Sequence, residues 1–182
     1  MAEELAAAIA PGDDVFRWTS AAPRSVPELR AWIRARQTPK PGLRNFAFAQ
    51  RDLRSGRLGG STSLFDVDAA LESAEIGHTW LVEPCRRSGM NTEAKLLLLA
   101  HAFESLGLQR VQITTDLRNE RSQRAIERLG ATREGVLRNF RRNQEGGLRT
   151  SVVYSVIASE WPERKARLRG LLEGRAPAIG PT

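Results

Sequence analysis

The residues of this 182-residue chain best suited to holding a small anion lie between Leu81 and Ala94, in the run L-V-E-P-C-R-R-S-G-M-N-T-E-A. A segment of strand character ends there, a short loop carrying Arg86, Arg87 and Gly89 follows, and a long helical stretch begins. That order aims backbone N–H groups and the positive end of a helix at one spot. Gly89 lets the main chain approach a ligand without a Cβ. Arg86 and Arg87 add charge, and a pyrophosphate is the natural guest. Taken alone, the run also fits an ordinary strand-to-helix turn. No Gly-Lys-Ser/Thr follows and the three-glycine dinucleotide pattern is missing, which disfavours both of those phosphate-binding loops.

Other side chains with chemical potential are few. Cys85 adjoins the loop but has no apparent His–acid partner, which argues against a thiol nucleophile. His78 has a suitable ordinary pKa, yet its strand setting favours packing. Tyr154 is the only tyrosine and sits in a strand from which it could line a pocket. Trp18, Trp32 and Phe16 read as core more than as substrate contacts. Two histidines and one cysteine are too few for a zinc cluster, so no metal is expected.

The elements that must position these groups follow from the hydrophobic period. Helices are expected over Glu3–Ile9, from Pro27 to Gln37, over Thr92–Leu106 with Gly107 as its cap, over Ser122–Leu129, and from Pro162 onward. The four consecutive leucines, Leu96 to Leu99, predict a helix buried on all sides. Strands are expected over Asn45–Gln50, Leu58–Phe65, Ala74–Val82 and Val111–Thr115. Ala131–Arg141 and Leu148–Ala158 form a hairpin. Gly59 and Gly60 mark a close backbone approach. The alternation of strands and helices predicts a mixed α/β layer fold.

Length and composition fit one domain with a real core. We expect a single domain over 1–175 and a flexible C-terminal tail over 176–182. The net charge of +7 attracts polyanions but does not choose among them, and no aromatic-interleaved basic stripe is present. A nucleic-acid partner is therefore disfavoured. The N-terminal residues carry Glu3 and Glu4 and no basic run, unlike a secretory signal. No apolar run is long enough for a bilayer. A cytoplasmic protein without membrane contact is the expectation.

Two motifs in order give the chain a specific likeness. Arg86-x-x-Gly89-x-Asn91, after the strand E-I-G-H-T-W-L-V, resembles the Gln/Arg-x-x-Gly-x-Gly/Ala acetyl-CoA loop of the GNAT superfamily of N-acetyltransferases. The segment from Asp116 to Ala131, D-L-R-N-E-R-S-Q-R-A-I-E-R-L-G-A, resembles that family's second motif, and the strand V-V-Y-S-V-I also fits. The likeness covers roughly Asn45 to Trp161 and is nearest the RimJ/RimL-like branch. It implies a mostly antiparallel central sheet with one splayed parallel strand pair, helices on both faces, and acetyl-CoA as co-substrate lying between the splayed strands. Backbone around Arg86, Arg87, Ser88, Gly89, Met90 and Asn91 would hold the pyrophosphate. The main chain at Leu81 and Val82 would pair with the pantetheine arm, and Asn119 would contact the cofactor.

Three positions depart from the family pattern. Asn91 replaces the last small residue of the loop, and asparagine tolerates unusual backbone angles and caps helices. Ile126 stands where relatives carry a tyrosine that protonates the leaving thiolate. The family usually opens with a strand before its first helix, whereas this chain begins within that helix, so either the start is misassigned or the sheet has lost an edge strand. The resemblance leaves two candidates for proton handling. Ser122 could stabilise the thiolate, and Glu75 could serve as general base, though a strand carboxylate facing solvent or pairing with a nearby arginine is the favoured reading of Glu75.

The function implied is acetyl transfer from acetyl-CoA to a primary amine, either a protein N-terminal α-amine or a small-molecule amine, by direct attack without an acyl-enzyme. The alternative is a non-catalytic acyl-CoA-binding sensor or interaction module. A basic ribosome-associated protein is a third, weaker reading. A homodimer is left open.

Overall fold

The computed structural model describes residues 1–174. The tail expected over 176–182 lies outside the described residues. Two helices, α1 (Ala2–Ala8) and α2 (Val26–Gln37), precede three strands, β1 (Arg44–Arg51), β2 (Leu58–Asp68) and β3 (Ser73–Leu81). Then come α3 (Met90–Ala100), β4 (Arg110–Asp116), α4 (Glu120–Arg128), the hairpin of β5 (Thr132–Arg142) and β6 (Leu148–Ile157), and α5 (Trp161–Leu172). The six strands form one sheet in the order β1-β2-β3-β4-β6-β5, antiparallel except for β3 beside β4. The chain enters the edge strand β1 through two helices.

Local chemistry explains the element ends. Ser25 caps α2 by accepting the Glu28 N–H, and Pro27 sits in the first turn, where a missing N–H costs nothing. The last turn of the third helix widens to a π-helical turn over His101–Ser105. Gly107, at φ +67, lets the Leu108 N–H reach back to the Ala102 carbonyl at 3.0 Å.

The sheet has two unlike faces. On one, Ala74, Ile76, Val111, Ile113, Val152 and Tyr154 pack with α3, α4 and α5 into the larger core. On the other, α1 and α2 cover the β1–β3 half through Leu5, Leu29, Trp32, Phe16 and Trp80. Among the described residues, no helix packs on the β4–β6–β5 half of that second face. The leucine run is one-sided after all: Leu98 and Leu99 are buried, while Leu97 is 63% exposed. The expected close approach at the two glycines is present. A Cβ on Gly60 would lie 2.2 Å from the Trp80 carbonyl oxygen, and one on Gly59 would lie 2.3 Å from Cys85 Sγ.

One irregularity shapes everything that follows. Strands β3 and β4 pair only from Ser73–Arg110 to Ile76–Ile113. Beyond that point β3 stays with β2 and β4 stays with β6, so the parallel pair parts. The cause is a bulge: Thr62 of β2 faces two residues, His78 and Thr79, between the Ser63–Gly77 and Ser61–Trp80 pairs. His78 takes φ +50. The extra residue also switches the faces, so Thr79 points toward α3 while Trp80 joins the α1–α2 side.

Candidate active site

The parting of β3 and β4 opens a cleft of about 1560 Å³, larger than an ordinary small-molecule pocket and sufficient for two reactants. Its mouth on the α3 side is framed by the loop before α3 and by the start of α4. In that loop Arg87 has φ +59 and Gly89 has φ +87. The first helical bond of α3 runs from the Glu93 N–H to the Gly89 carbonyl at 2.9 Å. The N–H groups of the first turn therefore face the loop, and that of Met90 makes a long 3.4 Å contact with the Ser88 hydroxyl. The Ser88 hydroxyl itself donates to the Cys85 carbonyl and holds the loop's curve. Asn91 Oδ1 is buried in the cleft wall with no hydrogen-bond partner. The order expected from the sequence, a strand end, a loop with Gly89 and a helix N-terminus, is present.

Two of the expected cofactor residues are otherwise engaged. Arg86 turns away from the loop: its Nε donates to the Leu81 carbonyl at 3.1 Å and its Nη2 to Asp13 at 2.6 Å. Asp13 is nearly buried, so this pair ties the segment after α1 to the loop and leaves Arg87 as the loop's exposed cation. The Val82 N–H donates to the Gly59 carbonyl at 2.8 Å, toward β2, and its side chain packs in the α1–α2 cluster. By strand alternation the Leu81 N–H faces the cleft instead.

At α4, Asn119 is the N-cap, its Oδ1 accepting the Ser122 N–H at 3.1 Å. Ser122 is half-buried and lines the cleft beside Ile126. Tyr154, a possible pocket residue by its strand position, belongs to the core. It is fully buried, and its phenol donates to Glu127 Oε1 at 2.8 Å. Burial and the Glu127 carboxylate push its pKa up to about 12.

The opposite mouth of the cleft lies on the open half-face. Glu75 is buried there and held on three sides: Thr114 donates to Oε1 at 2.6 Å, and Arg141 and Gln112 donate to Oε2 at 2.8 and 3.5 Å. Of the two ordinary readings of this carboxylate, solvent exposure and arginine pairing, the fold builds the pairing. His78 sits between Phe65 and Trp32, with ring centroids at 4.5 and 6.3 Å. Burial, with Arg36 and Arg141 nearby, lowers its pKa to about 4, so it is a neutral packing residue at neutral pH. The thiol of Cys85 is pushed up by burial, as an unreactive cysteine requires. Trp32 and Phe16 are core, whereas Trp18 lines the cleft with Arg118 stacked 5.4 Å from its ring centre.

Two features escaped the sequence reading. Lys95 of α3 is only 4% exposed, yet its Nζ has no carboxylate partner among the described residues. It donates to Thr79 Oγ1 at 2.8 Å and Thr62 Oγ1 at 3.1 Å, and burial pushes its pKa down to about 7. The signal was present: Thr92, Lys95, Leu99 and Ala102 recur at helical spacing along the buried stripe. The second feature is Arg149, brought beside Arg141 by the register of β5 and β6, which local patterning does not encode.

Comparison with known proteins agrees with this geometry. The family model described as "Acetyltransferase (GNAT) domain" matches residues 2–132. A crystal structure of a "putative acetyltransferase" from T. thermophilus superposes with TM-score 0.80 at 43% identity, covering 94% of this chain and 88% of its own. A GCN5-related N-acetyltransferase from Brucella melitensis gives TM-score 0.83 at 29% identity, covering 94% and 77%. The "Putative ribosomal N-acetyltransferase YdaF" of Bacillus subtilis (strain 168) is 35% identical over 113 residues, which is 62% of this chain and 61% of that relative's length. The chain belongs to the GNAT acetyltransferase family.

Proposed function

We propose that the protein transfers the acetyl group of acetyl-CoA directly to a primary amine, either a protein N-terminal α-amine or a small-molecule amine. The observation that carries this reading is the cleft between β3 and β4, which has an anion-binding loop at one mouth and an open, polar half-face at the other. Acetyl-CoA, the acetyl donor of the family, supplies an activated thioester. Backbone N–H groups from Arg87 through Ser88, Gly89, Met90 and Asn91 hold its pyrophosphate. Arg86 acts indirectly, by fixing the loop against Asp13. Leu81 offers its N–H to the extended arm, Val82 anchors the end of β3, and Asn119 places the N-terminus of α4 beside the thiol.

The amine reaches the thioester from the open half-face, where Glu75 lines the approach. Its carboxylate, fixed by Arg141 and Thr114, orients the amine or a bridging water that carries off the proton. An α-amino group with a pKa near ~8 is roughly a tenth free base at neutral pH, against well under ~0.1% for an ordinary lysine. With Glu75, the carboxylate lining the approach, already paired to Arg141, an α-amine or another low-pKa amine is the expected acceptor. Mass spectrometry of peptide mixtures incubated with acetyl-CoA should place the label on α-nitrogens, and exclusive lysine labelling would contradict this choice.

Ser122 supplies the donor that Ile126 does not. Its hydroxyl lies at the start of α4, where charge develops on sulfur as the tetrahedral intermediate collapses. Ser122→Ala should therefore lower kcat by about tenfold with little change in acetyl-CoA affinity, because the contact strengthens only in the transition state. Thiol release and calorimetry separate the two effects. Lost affinity with intact kcat would make Ser122 a cofactor-binding residue only.

A further inference from the structure

The open half-face is built for negative charge. Arg149 is half-buried and lines the cleft, and its only hydrogen bond among the described residues runs from Nε to the Ser151 hydroxyl at 3.0 Å. It has no ion pair there, so its terminal nitrogens are left to the cleft. Arg141 lies opposite it in the β5–β6 register and neutralises Glu75. Arg36 approaches from α2, donating to the Trp32 carbonyl and the Ser20 hydroxyl and to no carboxylate. Arg36, Arg141 and Arg149 each lower the proton affinity of the buried His78, and Asp66, which opposes them, is paired with Lys40. Asp116 is likewise taken, bound through both oxygens by Arg118. Arg141 and Arg149, both in the cleft wall, thus set two cations against the one carboxylate of Glu75, with Arg36 stacked on Trp32.

We propose that the acceptor carries an anionic group, a carboxylate or phosphate, a few bonds from its amine, and that Arg149 with Arg141 forms the subsite that binds it. This rests on the acetyl-transfer reading and adds the substrate class. A half-buried guanidinium presents a planar fork of donors that suits a carboxylate or phosphate. The same cations repel a second ammonium, so polyamines are excluded, and they lower the pKa of the acceptor's own amine, which favours the nucleophilic free base. The proton then leaves toward Glu75 or solvent as the C–N bond forms and the C–S bond breaks.

The test measures binding without turnover. N-Acetylglycine and N-acetyl-β-alanine, each against its neutral amide, are titrated calorimetrically into protein saturated with CoA, so that the cofactor's own anion sites are filled. At least one acid should bind about tenfold or more tightly than its amide. Arg149→Gln should bring that ratio to about one, while Arg149→Lys keeps part of it. Retained CoA binding by each variant shows that it is folded. Acids and amides binding alike, neither binding, or an unchanged ratio in Arg149→Gln would overturn the proposal. If Arg149→Gln does not fold, the wild-type ratio and Arg149→Lys decide. Thiol release with the parent amines separates the two readings. Acid-selective binding without any turnover removes acetyl transfer alone, and turnover indifferent to the carboxylate removes the anionic subsite alone. Phosphoethanolamine against ethanolamine, as a further turnover pair, distinguishes a phosphate from a carboxylate.

Discussion

Replacing Gly89 with aspartate should weaken acetyl-CoA binding by at least about 100-fold, roughly 2.7 kcal/mol, while leaving the protein folded. The fold tolerates a side chain at this position, because a Cβ there meets only Leu172 Cδ2, at an ordinary 3.6 Å. The φ of +87 costs a non-glycine residue on the order of 1 kcal/mol, and aspartate is among the residues that accept such angles. The ligand does not tolerate it. A carboxylate at the N-terminus of α3 occupies the place of the pyrophosphate and repels it, and two unit charges at contact distance repel by about 4 kcal/mol at an effective dielectric of about 20. Gly89→Ala, which adds bulk without charge, should lose far less. Calorimetry measures both, with thermal unfolding as the control. An unchanged dissociation constant for the aspartate variant would move the cofactor site elsewhere.

Lys95→Met should change how stability depends on pH. Lys95 binds its proton with a pKa of about 7 in the folded protein, against near 10.4 in the unfolded chain. Between those values the unfolded chain carries a proton that the folded protein lacks, so this group makes stability rise with pH across that window, by up to about 1.4 kcal/mol per unit. Below the window the folded protein must bury an unpaired ammonium, which is unfavourable. The variant has no such group, and Thr62 and Thr79 keep each other as partners at 2.8 Å. Lys95→Met should thus be the more stable protein near pH 6 and should lose that advantage toward pH 10, a swing on the order of ~4 kcal/mol. Urea unfolding of both proteins across that range reads the difference directly. A constant difference would mean that Lys95 titrates as an exposed lysine does.

Most of the architecture was legible because each element carries its own local signal. Alternation in Asn45–Gln50 and Val111–Thr115, Pro27 in the first turn of α2, the cap at Gly107 and the turn chemistry between β5 and β6 all act over a few residues. The loop from Arg86 to Asn91 was legible for the same reason, since its order of strand, glycine and helix is the geometry itself. The remainder depends on tertiary placement. Arg86 looked like a phosphate ligand until Asp13, 73 residues away, claimed it. The four leucines suggested all-round burial, but an 11-residue helix lying against a sheet and a single helix leaves Leu97 in solvent. The bulge at His78 has only the neighbouring Gly77 to announce it, a glycine inside a strand that the sequence reading does not single out as a bulge. It arises because β2 and β3 pair on both sides of it in registers that differ by one residue. The switch of faces that it causes sends Thr79 to Lys95, and neither half of that contact is visible in its own segment.

Acetyl transfer itself is tested most directly by incubating the purified protein with acetyl-CoA and following free thiol with and without added amines, with mass spectrometry of the products. The account predicts release of CoA that depends on the amine, and a product acetylated on that amine's nitrogen. Tight CoA binding with no amine-dependent release across α-amines, carboxylate-bearing amines and polyamines would contradict it and leave the protein as an acyl-CoA-binding module.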